Sequence, residues 1–180
     1  MTESANSLEL EQQPRVVDLL GVALVSGAAI SAQIALTRVL SITLWHHFAY
    51  LVVGLALLGF GTAGAWLSVR RVRFSASDLQ LTLARRARWG AALSVAAVLT
   101  ALLIRVNPLE LFRSSSTFVA LALVIALCTA PFLAVGVVLG TALGAWSQSA
   151  GRVYAADLIG GGAFGGLAVV LIPRLGALGL

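Results

Sequence analysis

Apolar residues fall into five runs, at 18–44, 48–69, 90–106, 117–146 and 153–172, and the polar stretches lie between them. About 20 residues of α-helix cross the ~30 Å hydrocarbon core of a bilayer, so four of these runs each predict one membrane-spanning helix. The fourth is too long for one untilted span, and it carries Pro131 near its midpoint. A proline inside a helix removes a hydrogen bond and crowds the preceding turn, so this run is expected to break or kink at Pro131. It reads either as one kinked helix emerging beyond the interface or as a re-entrant pair of half-helices lining a cavity.

The connection 70–89 holds Arg70, Arg71, Arg73, Arg85, Arg86 and Arg88. Short loops this basic stay on the cytoplasmic side, which puts the N-terminus and loop 70–89 inside. Within it, Ser77-Asp78-Leu79-Gln80 has the form of a capping box, and Leu79 and Leu83 share a face opposite Arg85 and Arg88. That pattern predicts a short interfacial helix against anionic head groups, or helical content in a loop that otherwise only sets topology. Trp45, Trp66, Trp89, Trp146, Tyr50 and Tyr154 all fall near the proposed boundaries, as an interfacial aromatic belt would.

Composition agrees with the pattern. The chain has 59% hydrophobic and 11% charged residues, and its mean hydropathy is +0.99. No globular surface could hide that much hydrocarbon, so the expected class is an all-α integral membrane protein, a bundle of about five transmembrane helices. Every basic residue is Arg, giving net charge +5, but the arginines edge apolar runs, which speaks against nucleic-acid binding. Residues 1–15 carry three Glu before their first Arg and read as a flexible polar tail, with 16–180 as the membrane module. His46, His47 and the single Cys128 have no metal-ligand spacing, and no cofactor or metal is expected.

Two groups of residues stand out. Asp157 sits inside the fifth run, where a carboxylate is costly unless it faces protein, water or a partner charge. Arg152 precedes it by a little over one turn and Tyr154 by about one turn, and the expectation is an ionised acid paired with an arginine. In the first run Ser26, Gln33 and Thr37 lie on one helical stripe that ends at Arg38. Asp157, Tyr154, Arg152, Gln33 and Arg38 therefore form the candidate buried polar site, against a plainer reading in which Arg38 snorkels and Gln33 bonds a neighbouring helix. The second group is glycine: Gly54 and Gly61 in the second run, and Gly161, Gly162, Gly165 and Gly166 in the fifth, are candidate helix-packing faces for other transmembrane helices or for self-association.

Several runs together resemble a known family. Gln33-Ile34-Ala35-Leu36-Thr37-Arg38-Val39-Leu40-Ser41, His47-Phe48-Ala49-Tyr50, Gly54-Leu55-Ala56-Leu57-Leu58-Gly59-Phe60-Gly61, Pro131-Phe132 and Gly151-Arg152-Val153-Tyr154-Ala155-Ala156-Asp157-Leu158-Ile159-Gly160 resemble the membrane part of bacterial spermidine synthase-like multispanning proteins. The resemblance implies an inner-membrane N-terminal module fused or adjacent to a soluble aminopropyltransferase-like domain of the Rossmann methyltransferase type. It also implies Glu where this chain has Gln33. The soluble stretches are too short for even one βαβ unit of ~30 residues, so no catalytic site is expected within residues 1–180. The resumption of apolar sequence at 175–180 reads as the opening of a further span, and hence as truncation. Three functions follow: a module that anchors or presents substrate to a synthase-like domain, a small-solute or ion transporter, and a non-catalytic membrane assembly subunit.

Overall fold

A computed structural model describes residues 13–43, 49–69, 76–103 and 115–177. Five long helices account for nearly all of them: α1 Val16–Thr43, α2 Ala49–Val69, α3 Ala76–Leu103, α4 Ser115–Ala145 and α5 Ala150–Ala177, with a 3₁₀ turn Ser147–Ser149 joining the last two. No strand occurs among the described residues. All five helices are long and apolar enough to cross a membrane, and leucines and valines such as Leu57, Val95, Leu123, Ile159 and Val170 lie on the outside of the bundle. Such surfaces suit lipid and not water. The chain is a multi-pass helical membrane protein.

Helix α1 packs most extensively on α5, α4 packs on both α2 and α3, and α1 also meets α3. Two apolar cores result. One joins Val22, Leu79, Ala142, Trp146 and Val153, and so gathers the starts of α1, α3 and α5 with the end of α4. The other joins residues including Leu36, Leu40, Val52, Ala97, Val124, Cys128 and Phe132 toward the opposite end. Consecutive helices therefore alternate in direction. Arg15, Arg85, Arg86, Arg88 and Arg152 belong to the first, basic end, while Arg38 and Arg174 lie toward the other. Arg70, Arg71, Arg73, Trp45, His46, His47, Asn107 and Pro108 lie outside the described residues.

One expectation is corrected. The 77–89 segment is not a separate interfacial helix: α3 is continuous from Ala76. No Gly or Pro interrupts it before Gly90, Ala, Leu, Gln and Arg all favour helix, and the Leu79–Leu83 face packs into the basic-end core instead of lying on head groups. Of the two readings of the fourth run, the structure has the single helix: α4 runs through Pro131 over 31 residues, about 45 Å long. Within hydrocarbon, breaking the helix would expose several backbone polar groups, whereas proline forfeits one hydrogen bond and neighbouring helices offset the rest. Pro131 is indeed buried, beside Phe132, whose ring lies 6.1 Å from that of Phe60 in α2.

Trp146 also departs from the aromatic belt. It is 7% exposed, inside the basic-end core, whereas Trp89 and Tyr50 stand outward at 66% and 82%.

Candidate functional site

The α1–α5 seam is built on small residues. A Cβ added to Gly160 would strike the backbone of Ala23, one at Gly165 would lie 2.9 Å from Ile30 Cγ2, and one at Gly161 would meet Ile30 Cγ1 at an ordinary 3.5 Å. From the α1 side, Gly27 makes room for the ring of Phe164. Glycine is required here because the two backbones approach more closely than any side chain allows. Into this seam the two helices bring their polar groups: Ser26 Oγ donates to the Asp157 carboxylate, and Ser31 Oγ donates to the carbonyl of Phe164 at 3.4 Å. Ser26 is buried, and Asp157 is partly buried.

The predicted polar site comes together only in part. Among the described residues the partner of Asp157 is a serine hydroxyl and not an arginine. Arg152 and Tyr154 belong to the same helix, yet both are exposed. Gln33 stands seven residues beyond Ser26 along α1, roughly 10 Å away, and Arg38 lies further still and is exposed. Thr37, the next member of the stripe, turns its hydroxyl back to the Gln33 carbonyl at 2.8 Å. The stripe was a correct signal for Ser26 alone, since only that position reaches the depth of Asp157.

The glycine assignments divide in the same way. Gly161 and Gly165 face α1, but a Cβ on Gly54, Gly61, Gly162 or Gly166 meets nothing within 4 Å. Those four take no part in packing among the described residues, because each lies on the outward side of its helix. Other glycines do pack elsewhere, Gly59 of the second run among them. A Cβ at Gly59 would fall 2.7 Å from Phe132 Cβ and 2.8 Å from the Leu133 amide nitrogen, and one at Gly136 would fall 2.8 Å from Ala63 Cβ. Gly136 opens a further spacing at four, with Gly140 and Gly144, and a Cβ at Gly140 would fall 2.5 Å from Leu67 Cδ1.

A second polar contact joins α2, α3 and α4 near the basic end. Arg86 Nη1 donates to Thr141 Oγ1 at 2.9 Å, the guanidinium sits 5.9 Å from the centre of the Trp66 ring, and the buried Thr141 hydroxyl donates to the Val137 carbonyl at 2.6 Å. Arginine suits this place because its planar head can stack on an aromatic ring while donating in its plane. Loop assignment concealed it in the sequence. Thr141→Val keeps the shape but removes the acceptor, and is expected to lower stability by about 1 kcal/mol, with Thr141→Ser close to the parent. Unfolding in mixed micelles measures both.

No group of three or more potential metal ligands occurs among the described residues, and Cys128 is buried in the apolar core. The chemistry within reach is that of a carboxylate held by a hydroxyl between two apposed helices. Comparison with known proteins finds no match among family models, curated proteins or solved structures.

Proposed function

We propose that the chain is the membrane-embedded module of a spermidine synthase-like protein, anchoring or presenting substrate to a catalytic domain outside residues 1–180. The observation carrying this reading is where the family-like runs meet. Gly59 and Phe60 of one run abut Phe132 of another, and the run ending in Gly160 closes on α1 through Ala23 and Ser26. Residues spent on close helix contact favour a rigid anchoring module. If the reading holds, the reading frame beyond Leu180, or an adjoining gene, encodes a Gly-rich strand-to-helix turn with acidic residues for a polyamine. A gene and neighbourhood without either would reject it.

A transport reading is favoured by one observation, the Asp157 carboxylate within a span. Proteoliposomes loaded with a pH-sensitive dye separate the two: the anchoring module gives no proton or polyamine flux above empty vesicles, and flux abolished by Asp157→Asn would favour transport.

The proposed location is the bacterial inner membrane with the basic end in the cytoplasm, since arginine concentrates in cytoplasmic loops. In a Cys128→Ala background, Gln148→Cys in the α4–α5 turn should react with an impermeant maleimide only after permeabilisation. Leu103→Cys at the other end should react in intact spheroplasts. The reverse pattern would invert the orientation.

A further inference from the structure

A cleft of about 160 Å³ opens between α1, α3 and α4 at the basic end. Its walls are apolar, formed by Val25, Leu83, Ala87, Val138 and Trp146, and it follows α1 from Val17 to Val25, about 12 Å along the helix. The volume is close to that of an apolar cavity of ~150 Å³ that takes up one benzene, so it suits a length of hydrocarbon chain and not a solute with many polar groups. Its two polar lining residues already serve each other: Gln80 Nε2 donates to Asp18 Oδ1 at 3.2 Å, and the other carboxylate oxygen accepts from the Arg15 amide at 2.9 Å. Asp18 therefore secures the first turn of α1 and ties it to α3.

The charge around the cleft is of the opposite sign. Arg15 heads α1 two residues before the wall residue Val17, and its side chain is exposed. Arg88 is also exposed, and its Nε donates at 3.4 Å to the carbonyl of Ala84, itself a wall residue. An apolar cleft between spans with arginines at its rim matches a phospholipid, with hydrocarbon inside and phosphate on the guanidinium groups.

We propose that this cleft is a binding site for an anionic membrane phospholipid, its acyl chain between α1, α3 and α4 and its headgroup on Arg15 and Arg88. The site is independent of the synthase-like reading. Gly21 provides the means of testing it, because it lines the cleft and a Cβ there meets nothing within 4 Å. Gly21→Leu therefore adds its side chain at the cleft from a position where the Cβ is unobstructed, and Gly166→Leu, equally open on another helix, is its control.

The measurement is lipid retention by native mass spectrometry and thermal stability in detergent, on adding phosphatidylglycerol or phosphatidylcholine. The parent protein should retain phosphatidylglycerol preferentially and be stabilised by it. Gly21→Leu should lose both effects and Gly166→Leu neither. Arg15→Gln and Arg88→Gln should each weaken retention about fivefold, toward the level of phosphatidylcholine. The proposal is overturned if the parent protein treats the two lipids alike, or if Gly21→Leu retains phosphatidylglycerol as Gly166→Leu does. Should Gly21→Leu fail to fold, the two arginine variants decide alone, and unchanged retention in both rejects the site.

Discussion

Gly160→Leu is expected to separate α1 from α5 and to be the most damaging single substitution in the chain. Its Cβ would meet the carbonyl oxygen, carbonyl carbon and Cα of Ala23, all backbone atoms that no rotamer change can move aside. Overpacking costs about 1–3 kcal/mol even where side chains can shift, and relief here requires the helices to move apart. That movement would also draw Ser26 away from Asp157 and thin the basic-end core where Val153 of α5 meets Val22 of α1. Gly165→Leu should rank next, since its neighbour Ile30 presents only a side-chain methyl. Gly162→Leu and Gly166→Leu, with open space around them, should stay within about 0.5 kcal/mol of the parent, as outward substitutions do. Thermal unfolding in detergent, followed by circular dichroism, ranks the four. Equal stability of Gly160→Leu and Gly162→Leu would mean that the α1–α5 seam does not hold the bundle together.

The contrast between neighbouring glycines explains what could be read in the sequence. Run length and apolarity suffice for five helices, because hydrocarbon demands continuous helix over about 20 residues whatever the packing. The same reasoning misplaced the start of α3 by treating the arginines as a boundary. Arginine in a helix can reach the interface or a neighbour with its long side chain, as Arg86 reaches Thr141, so a basic stretch marks a membrane end without marking a helix end. For the glycines, spacing at four is satisfied by both Gly161/Gly165 and Gly162/Gly166. The two pairs differ by one residue, or about 100° of rotation, and only the partner helix distinguishes them. The Asp157 partner was further from reach. Ser26 lies 131 residues away, and depth along two parallel helices, which selects Ser26 over Gln33, follows from the packing of α1 on α5 and not from either run alone.

Asp157 itself offers the second large effect, and the serine partner changes what each variant should do. Asp157→Ala removes the acceptor of the Ser26 hydroxyl and leaves a small void in a close-packed seam. A buried donor without its partner costs about 1–3 kcal/mol, although polar contacts between membrane helices average nearer 0.6 kcal/mol, because a hydroxyl released from one partner finds another. Serine can do so through its own helix, as Thr37 and Ser41 do with carbonyls four residues back. The expected loss for Asp157→Ala is therefore about 1–2 kcal/mol. Asp157→Asn keeps an amide oxygen to accept from Ser26 and should be milder. A double-mutant cycle isolates the pair: with Ser26→Ala in place, replacing Asp157 by Ala should cost clearly less than it does in the parent, because the interaction is already gone. Full additivity of the two substitutions would mean that the hydroxyl and carboxylate do not act together, and that Asp157 is held in the membrane for a reason other than joining α1 to α5.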